Sequence, residues 1–187
     1  AHSVTTVVLD KTGTITQGKP VVTDVLPVGT GRDELLAIAA SLEKRSEHPL
    51  AEAITAEAEK EQLTLLPVDE FEQIPGQGIR AAVEGKLCLA GNRRMMEANH
   101  AENSELFSRG EALAEDGKTP LYFARGGRLL GLIAVADVVK PTSAQAVAEL
   151  SSMGIEVVML TGDNKRTAEA IRRQVGVDRV VAEVLPQ

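Results

Sequence analysis

Between Thr142 and Val181 the sequence switches repeatedly between a helical and a strand rhythm, and this alternation restricts the fold more than any other feature. Helical spacing runs from Thr142 to Met153, a β-branched run covers Ile155 to Leu160, a second helical stretch spans Asn164 to Val175, and a short strand closes at Arg179 to Val181. Strands separated by helices pair in parallel, because each helix carries the chain back to the same end of the sheet. The start of the chain fits the same sheet. Thr5 to Leu9 is a continuous apolar, β-branched run cut off by a polar turn, which predicts a buried parallel strand with Asp10 at its carboxyl end. From Lys11 to Val25, Gly13, Gly18 and Pro20 lie among β-formers, so a loop and then an extended exit strand are expected.

The middle of the chain has another rhythm. Helices are predicted over Arg32 to Leu42 and, opened by Pro49, to about Gln62. Short β segments follow at Val68 to Ile74, Ile79 to Glu84 and Lys86 to Ala90, separated by Gly76, Gly78 and Gly85. Short helices over Arg93 to Asn99 and Ser104 to Glu115 precede two strands, Thr119 to Arg125 and Arg128 to Ala136, that flank Gly126-Gly127 as a hairpin. The expected architecture is an α/β, Rossmann-like domain built from residues 1–25 and 127–187, interrupted by an α+β domain of antiparallel sheet and helices over residues 26–126. Only two connections would join them, near Val25 and Gly127, so a hinge is expected.

Composition excludes several function classes. A formal charge of −7 without a basic run argues against nucleic acid and anionic lipid as partners. The single cysteine, Cys88, leaves no internal disulfide and no zinc site, and suits a reducing cytosol. The longest apolar stretch, Leu129 to Val139, is broken by Asp137 and falls short of the roughly 20 residues that span a bilayer. The chain opens at Ala1-His2-Ser3 with no initiating Met or signal peptide, so the expectation is a piece cut from a longer protein.

In α/β sheets ligands sit beyond the carboxyl ends of the strands, where this reading places Asp10-Lys11-Thr12-Gly13-Thr14 and Thr161-Gly162-Asp163. A carboxylate there can attack phosphorus, while the Thr161 hydroxyl and the N–H groups opening the Asn164 helix hold phosphoryl oxygens. Each cluster by itself also reads as a capped turn. Together, Asp10-Lys11-Thr12-Gly13-Thr14-Ile15-Thr16 and Thr161-Gly162-Asp163 resemble the two signatures of P-type ATPases. The resemblance implies a fold of haloacid dehalogenase type, a catalytic set of Asp10, Lys11, Thr12, Thr161, Gly162 and Asp163, and Asp10 as the residue that ATP phosphorylates. It also implies Mg2+ held by Asp10 and the Thr12 carbonyl. Asp137 and Lys140 look like the family's Asp-x-x-basic segment near the hinge, or else a solvated turn. Phosphatases of the same fold carry an Asp two positions after the nucleophile. Here that position is Thr12, which removes the local base for hydrolysing an acyl phosphate.

Within the middle domain the four aromatics, Phe71, Phe107, Tyr122 and Phe123, mostly read as core, so a flat base would be held by something else. Glu43, Ser46-Glu47-His48-Pro49-Leu50, Pro75-Gly76-Gln77-Gly78-Ile79 and Gly91-Asn92-Arg93 occur in the order that resembles heavy-metal-transporting (type IB) P-type ATPases. This implies that Glu43 and His48 contact adenine, that Gly76 and Gly78 admit the nucleotide close to the backbone, and that Asn92 helps hold it. By themselves, His48 and Asn92 read as helix caps and the glycines as turn formers. The Ser-Glu-His-Pro-Leu form favours copper over zinc or cadmium. The implied partners are the transmembrane and actuator domains of the same protein, with the transported cation bound elsewhere. The family pattern continues past Leu185-Pro186-Gln187 with a conserved Lys and a Gly-Asp-Gly-x-Asn-Asp signature. Three readings therefore stand: the cytosolic catalytic unit of a pump, a nucleotide-binding piece without turnover, and a phosphatase disfavoured by Thr12.

Overall fold

The computed structural model describes residues 5–185, so Ala1-His2-Ser3 and Pro186-Gln187 lie outside the described residues. The chain separates into two compact units. One holds the residues up to Lys19, the stretch Ala114–Lys118 and everything from Asp137 on; the other holds Pro20–Leu113 and Thr119–Ala136.

The first unit is built on three parallel strands in the order β1 (Thr6–Asp10), β8 (Glu156–Leu160), β9 (Arg179–Val181). Asp10 lies beside Leu160 in the register, so the segments that follow β1 and β8 leave the same end of the sheet. Helices α5 (Ser143–Ser152) and α6 (Lys165–Val175) contribute Val147, Ile171 and Val175 to a core with Val157, Met159 and Ile15. The ends of α6 follow its sequence: Asn164 Oδ1 accepts from Thr167 N at 2.9 Å, and Gly176, at φ +85°, closes the helix with its N–H on Arg172 O.

The strand expected to be buried, β1, is not. Thr6, Val8 and Asp10 are exposed, Val8 by 55 %, and Val7 and Leu9 are only partly covered. Among the described residues β1 pairs with β8 on one side only, and the apolar core includes Leu9 but not Val8. The run buried in the manner of a central strand is Val157-Val158-Met159 of β8.

The second unit carries a six-stranded sheet in the order β2 (Thr16–Pro27), β7 (Arg128–Val139), β6 (Thr119–Arg125), β5 (Lys86–Gly91), β4 (Gly78–Val83), β3 (Val68–Ile74). From β7 to β3 the neighbours are antiparallel. Helices α1 (Arg32–Glu43) and α2 (Pro49–Lys60) cover one face through Leu35, Leu42 and Ile54, packed with Phe123 and Ile133. Helices α3 (Arg93–Ala98) and α4 (Ser104–Glu115) cover the other through Met95, Met96 and Phe107, packed with Tyr122 and Leu132. Successive strand residues point to opposite faces, and both faces here are roofed, which is why Leu129 to Val135 is apolar without a break. Among the described residues no helix is long and apolar enough to cross a membrane.

Gly131 marks the tightest joint of this unit. A Cβ there would stand 2.3 Å from Leu26 O and 2.7 Å from a Leu35 methyl, where β2 and α1 close on β7. Gly131→Ala should destabilise the chain by about 1–3 kcal/mol, read as a lowered urea midpoint by circular dichroism; an unchanged midpoint would show that β2 gives way freely.

Candidate functional site

The described residues present two clefts of different chemistry, one in each unit. In the first unit β1 delivers Asp10 to the surface, and its carboxylate makes no hydrogen bond or ion pair among the described residues. The following turn, Lys11–Ile15, departs from helical geometry at Thr12 (φ −72°, ψ 118°) and Gly13 (φ +80°). Gly13 thus supplies the left-handed backbone that lets the chain double back. The Lys11 side chain turns inward and is buried, where an ammonium needs carboxylate partners. It donates to Asp163 Oδ2 at 2.6 Å and stands 4.0 Å from Asp137 Oδ2. Asp137 in turn accepts from the Thr16 hydroxyl and from Gly18 N at 2.9 Å. Lys140 Nζ donates to Gly13 O at 3.3 Å, so Asp137 and Lys140 hold this turn and are not a solvated bend.

Across the cleft, Thr161 N donates to Val181 O at 3.1 Å, and Thr161 O accepts from Val184 N at 3.1 Å. Its side-chain oxygen accepts from Asp163 N at 3.1 Å, which leaves its own hydrogen directed elsewhere. Asp10, Lys11, Thr12, Thr161 and Gly162 line a cleft of about 720 Å3, and Asp163 joins them through Lys11. The six residues singled out here from sequence are thus neighbours. The Thr16 hydroxyl was missed, because its partner Asp137 lies 121 positions along the chain.

The second cleft, about 600 Å3, lies in the other unit and is lined by Glu43, His48, Gly76, Gly78 and Asn92 together with Gln73, Gln77, Gly91 and Leu121. His48 is the N-cap of α2: its Nδ1 accepts from Leu50 N at 3.2 Å, so the ring's proton sits on Nε2. It is a cap and also a cleft residue. Asn92 caps α3 through Oδ1 to Met95 N at 3.0 Å, while its Nδ2 donates to Gly76 O at 2.9 Å, fixing the Gly76-Gln77 turn. Gly76 adopts φ +72° in open space, whereas a Cβ on Gly78 would stand 2.1 Å from Ala90 O and one on Gly91 2.3 Å from Gln77 O. Main chain, not side chains, shapes this wall. Gln73 and Leu121 were missed, since nothing in a strand sequence marks which end borders a cavity.

Glu43, the last residue of α1, is 8 % exposed, and its carboxyl has no hydrogen-bond or ion-pair partner among the described residues. Burial pushes its carboxyl up to about 7. A sequence signal for this exists: Glu43 follows Ala39 by four positions and Leu36 by seven, which places it on the apolar stripe of α1.

The profile of the haloacid dehalogenase-like hydrolases matches residues 4–187. Copper-transporting ATPase 1 of Rhizobium meliloti is 48 % identical over 181 residues, 96 % of this chain and 22 % of that protein. A copper-exporting P-type ATPase of Bacillus subtilis is 46 % identical over 187 residues, 100 % of this chain and 23 % of that protein. The N-domain of HMA8, a copper-transporting P-type ATPase, is 30 % identical and superposes with a TM-score of 0.53 over 62 % of this chain and 98 % of that one. The chain belongs to the P-type ATPases, within the haloacid dehalogenase-like hydrolases. A zinc-transporting PIB-type ATPase in its E2.Pi state superposes with a TM-score of 0.83 at 36 % identity, over 98 % of this chain and 30 % of that one. The chain therefore spans about a fifth to a quarter of the curated P-type ATPases it matches. The family and fold class are those expected from the two signatures.

The raised carboxyl of Glu43 has a consequence for stability. The folded state holds its proton above the range where the unfolded chain releases it, so the stabilisation is complete below about pH 4.5 and is lost as pH rises through about 7. Between about pH 4 and pH 8 the stability of Glu43→Gln relative to wild type should rise by about 3 kcal/mol. Urea denaturation at both pH values measures it, and a constant difference would mean that the carboxyl is solvated in the folded chain.

Proposed function

We propose that the chain is the phosphorylation and nucleotide-binding part of a copper-transporting P-type ATPase, with Asp10 accepting the γ-phosphoryl group of ATP. The first unit acts as the phosphorylation domain and the second as the nucleotide-binding domain. The observation that carries this reading is Asp10: an exposed carboxylate without a partner among the described residues, in a cleft with Thr161 and Gly162. Identities of 46 % and 48 % to named copper transporters, against 36 % to a zinc-transporting structure, favour copper as the cargo.

In the proposed reaction an Asp10 oxygen bonds to the γ-phosphorus as the bond to the β–γ bridging oxygen breaks, and ADP leaves. The Thr161 hydroxyl has its hydrogen available for a phosphoryl oxygen because its own oxygen already accepts from Asp163 N. Gly162 adds a backbone N–H without a side chain in the way. Lys11 ties the two strand ends together through Asp163 and brings positive charge to the cleft. Asp10 and the Thr12 carbonyl are hard oxygen donors. Such donors fit Mg2+, an ion that pairs one or two carboxylates with nucleotide phosphates and water. Bound there, Mg2+ would neutralise phosphate charge. Adenine would lie in the other unit's cleft, whose lining has no Phe, Tyr or Trp, against His48, Ile74, Ile79 and Leu121. The transmembrane and actuator domains of the same protein would be the partners, with copper bound outside this chain and the chain on the cytosolic side.

In the full transporter, γ-labelled ATP with Mg2+ should leave an acid-stable, hydroxylamine-sensitive label that Asp10→Asn abolishes; a label that survives the substitution would place the chemistry elsewhere. His48→Gln should weaken ATP binding to the chain by about tenfold or more in isothermal titration, with an unchanged circular dichroism spectrum. Unchanged affinity would remove His48 from the site.

A further inference from the structure

The turn that follows Asp10 is gripped by groups from a distant stretch of the same unit. Where α5 begins, Lys140 N donates to Ile15 O at 3.0 Å, and Ser143 Oγ donates to the same carbonyl at 2.6 Å. Ser143 N closes back on Lys140 O at 3.0 Å, so the two donors are held as one piece. Lys140 Nζ reaches the turn a second time, at Gly13 O.

A second hydroxyl grips the same end. The Thr16 N–H already serves Lys11 O, and the hydroxyl hydrogen goes to Asp137 Oδ2 at 2.5 Å, a charged acceptor that outcompetes the Lys11 carbonyl at 3.1 Å. The Thr16 oxygen in turn receives Gly13 N at 3.4 Å. Thr16 is 0 % exposed and Ser143 7 %. Neither lines the cleft that holds Asp10, so neither touches a phosphoryl group there.

Asp10 stands at one end of the Lys11–Ile15 turn and the two hydroxyls at the other. Phosphoryl transfer needs the attacking oxygen in line with the bond that breaks. Among the described residues nothing bonds to the Asp10 carboxylate, so its direction depends on the backbone that carries it, β1 on one side and this turn on the other.

We propose that Ser143 and Thr16 are positioning residues for phosphoryl transfer, two buried hydroxyls that lock the far end of the turn and thereby aim Asp10. This rests on the reading of Asp10 as the phosphoryl acceptor and adds to it the residues that set its geometry. A misplacement of about 1 Å, caused by a change outside the reacting groups, lowers such a rate about 100-fold. Ser143→Ala leaves Ile15 O its bond from Lys140 N and should cost about tenfold. Thr16→Val releases both Asp137 Oδ2 and Gly13 N and should cost about 100-fold.

The experiment is single-turnover labelling of the full transporter by saturating γ-labelled MgATP, normalised to the ATP bound, with ATP affinity measured on the same preparations. Both variants should label slowly while affinity stays within about twofold of wild type, the mark of a loss confined to the transition state. Thr16→Ser, which keeps the hydroxyl, should recover most of the rate. A wild-type rate in either variant overturns the proposal, and so does a loss that lies in affinity alone. Equal losses in Thr16→Ser and Thr16→Val would assign the effect to the methyl group and overturn it too. If Thr16→Val does not fold, Ser143→Ala decides by its own rate. A transporter that takes no label, or one whose label survives Asp10→Asn, overturns the phosphorylation reading, and this inference with it.

Discussion

A buried ammonium must be met by carboxylates, and around Lys11 that requirement gathers the whole cleft of the first unit. Asp163 reaches it from the segment after β8, and Asp137 from β7. Removing either partner would leave charge inadequately paired in a place with little water, a far larger penalty than losing a surface ion pair. Asp137 is itself fixed by Thr16 and Gly18, so the turn after β1 is held at both ends. Lys11, Asp163, Asp137 and Lys140 are thereby engaged, while among the described residues the Asp10 carboxylate has no hydrogen bond or ion pair.

The cleft of the second unit is built on the opposite principle. Its lining holds no ammonium or guanidinium, and its tight wall is main chain brought close at Gly78 and Gly91. A site shaped this way discriminates by outline and by a few hydrogen bonds, and gains little from ligand charge. On the proposed reading, the second unit's cleft would take the flat base and the first unit's cleft the phosphoryl group.

How much of this was legible in sequence follows from the range of each signal. Helices and strands of both units were readable because their periods are local, and Asn164, Pro49 and Gly176 mark helix ends by chemistry acting within one turn. β1 is not buried among the described residues, where it has a strand on one side only, and an apolar run looks the same at the edge of a sheet as at its centre. Neighbours in sequence do not reveal which strand has a partner on both sides. Asp137 stayed ambiguous for a related reason: Thr16 and Gly18, which decide its role, lie about 120 residues earlier. Lys11 was visible as part of a motif, but not its inward turn, which depends on two distant carboxylates. Glu43 is the intermediate case. Its place on the apolar stripe of α1 was readable, whereas the lack of a partner required the surrounding elements to be assembled.

If Asp10 is phosphorylated as proposed, the carboxylates around it would decide how long the acyl phosphate lasts. A phosphatase that uses an aspartyl phosphate must also destroy it, which takes a second carboxylate close by to draw a proton from water. Among the described residues Asp10 is the only carboxylate that lines the cleft, and the position that would supply the base is Thr12. Two other carboxylates of the same unit are committed: Asp163 to the Lys11 ammonium at 2.6 Å, Asp137 to Thr16 and Gly18. To act as a base, Asp163 would have to leave a buried lysine without its closest partner, and Asp137 would have to release the turn that presents Asp10. The described residues are therefore suited to making an acyl phosphate and poorly suited to hydrolysing it. Under the proposed function, an intermediate that outlasts its formation would suit a transport cycle, because the free energy of the bond would be held until a base is supplied from elsewhere.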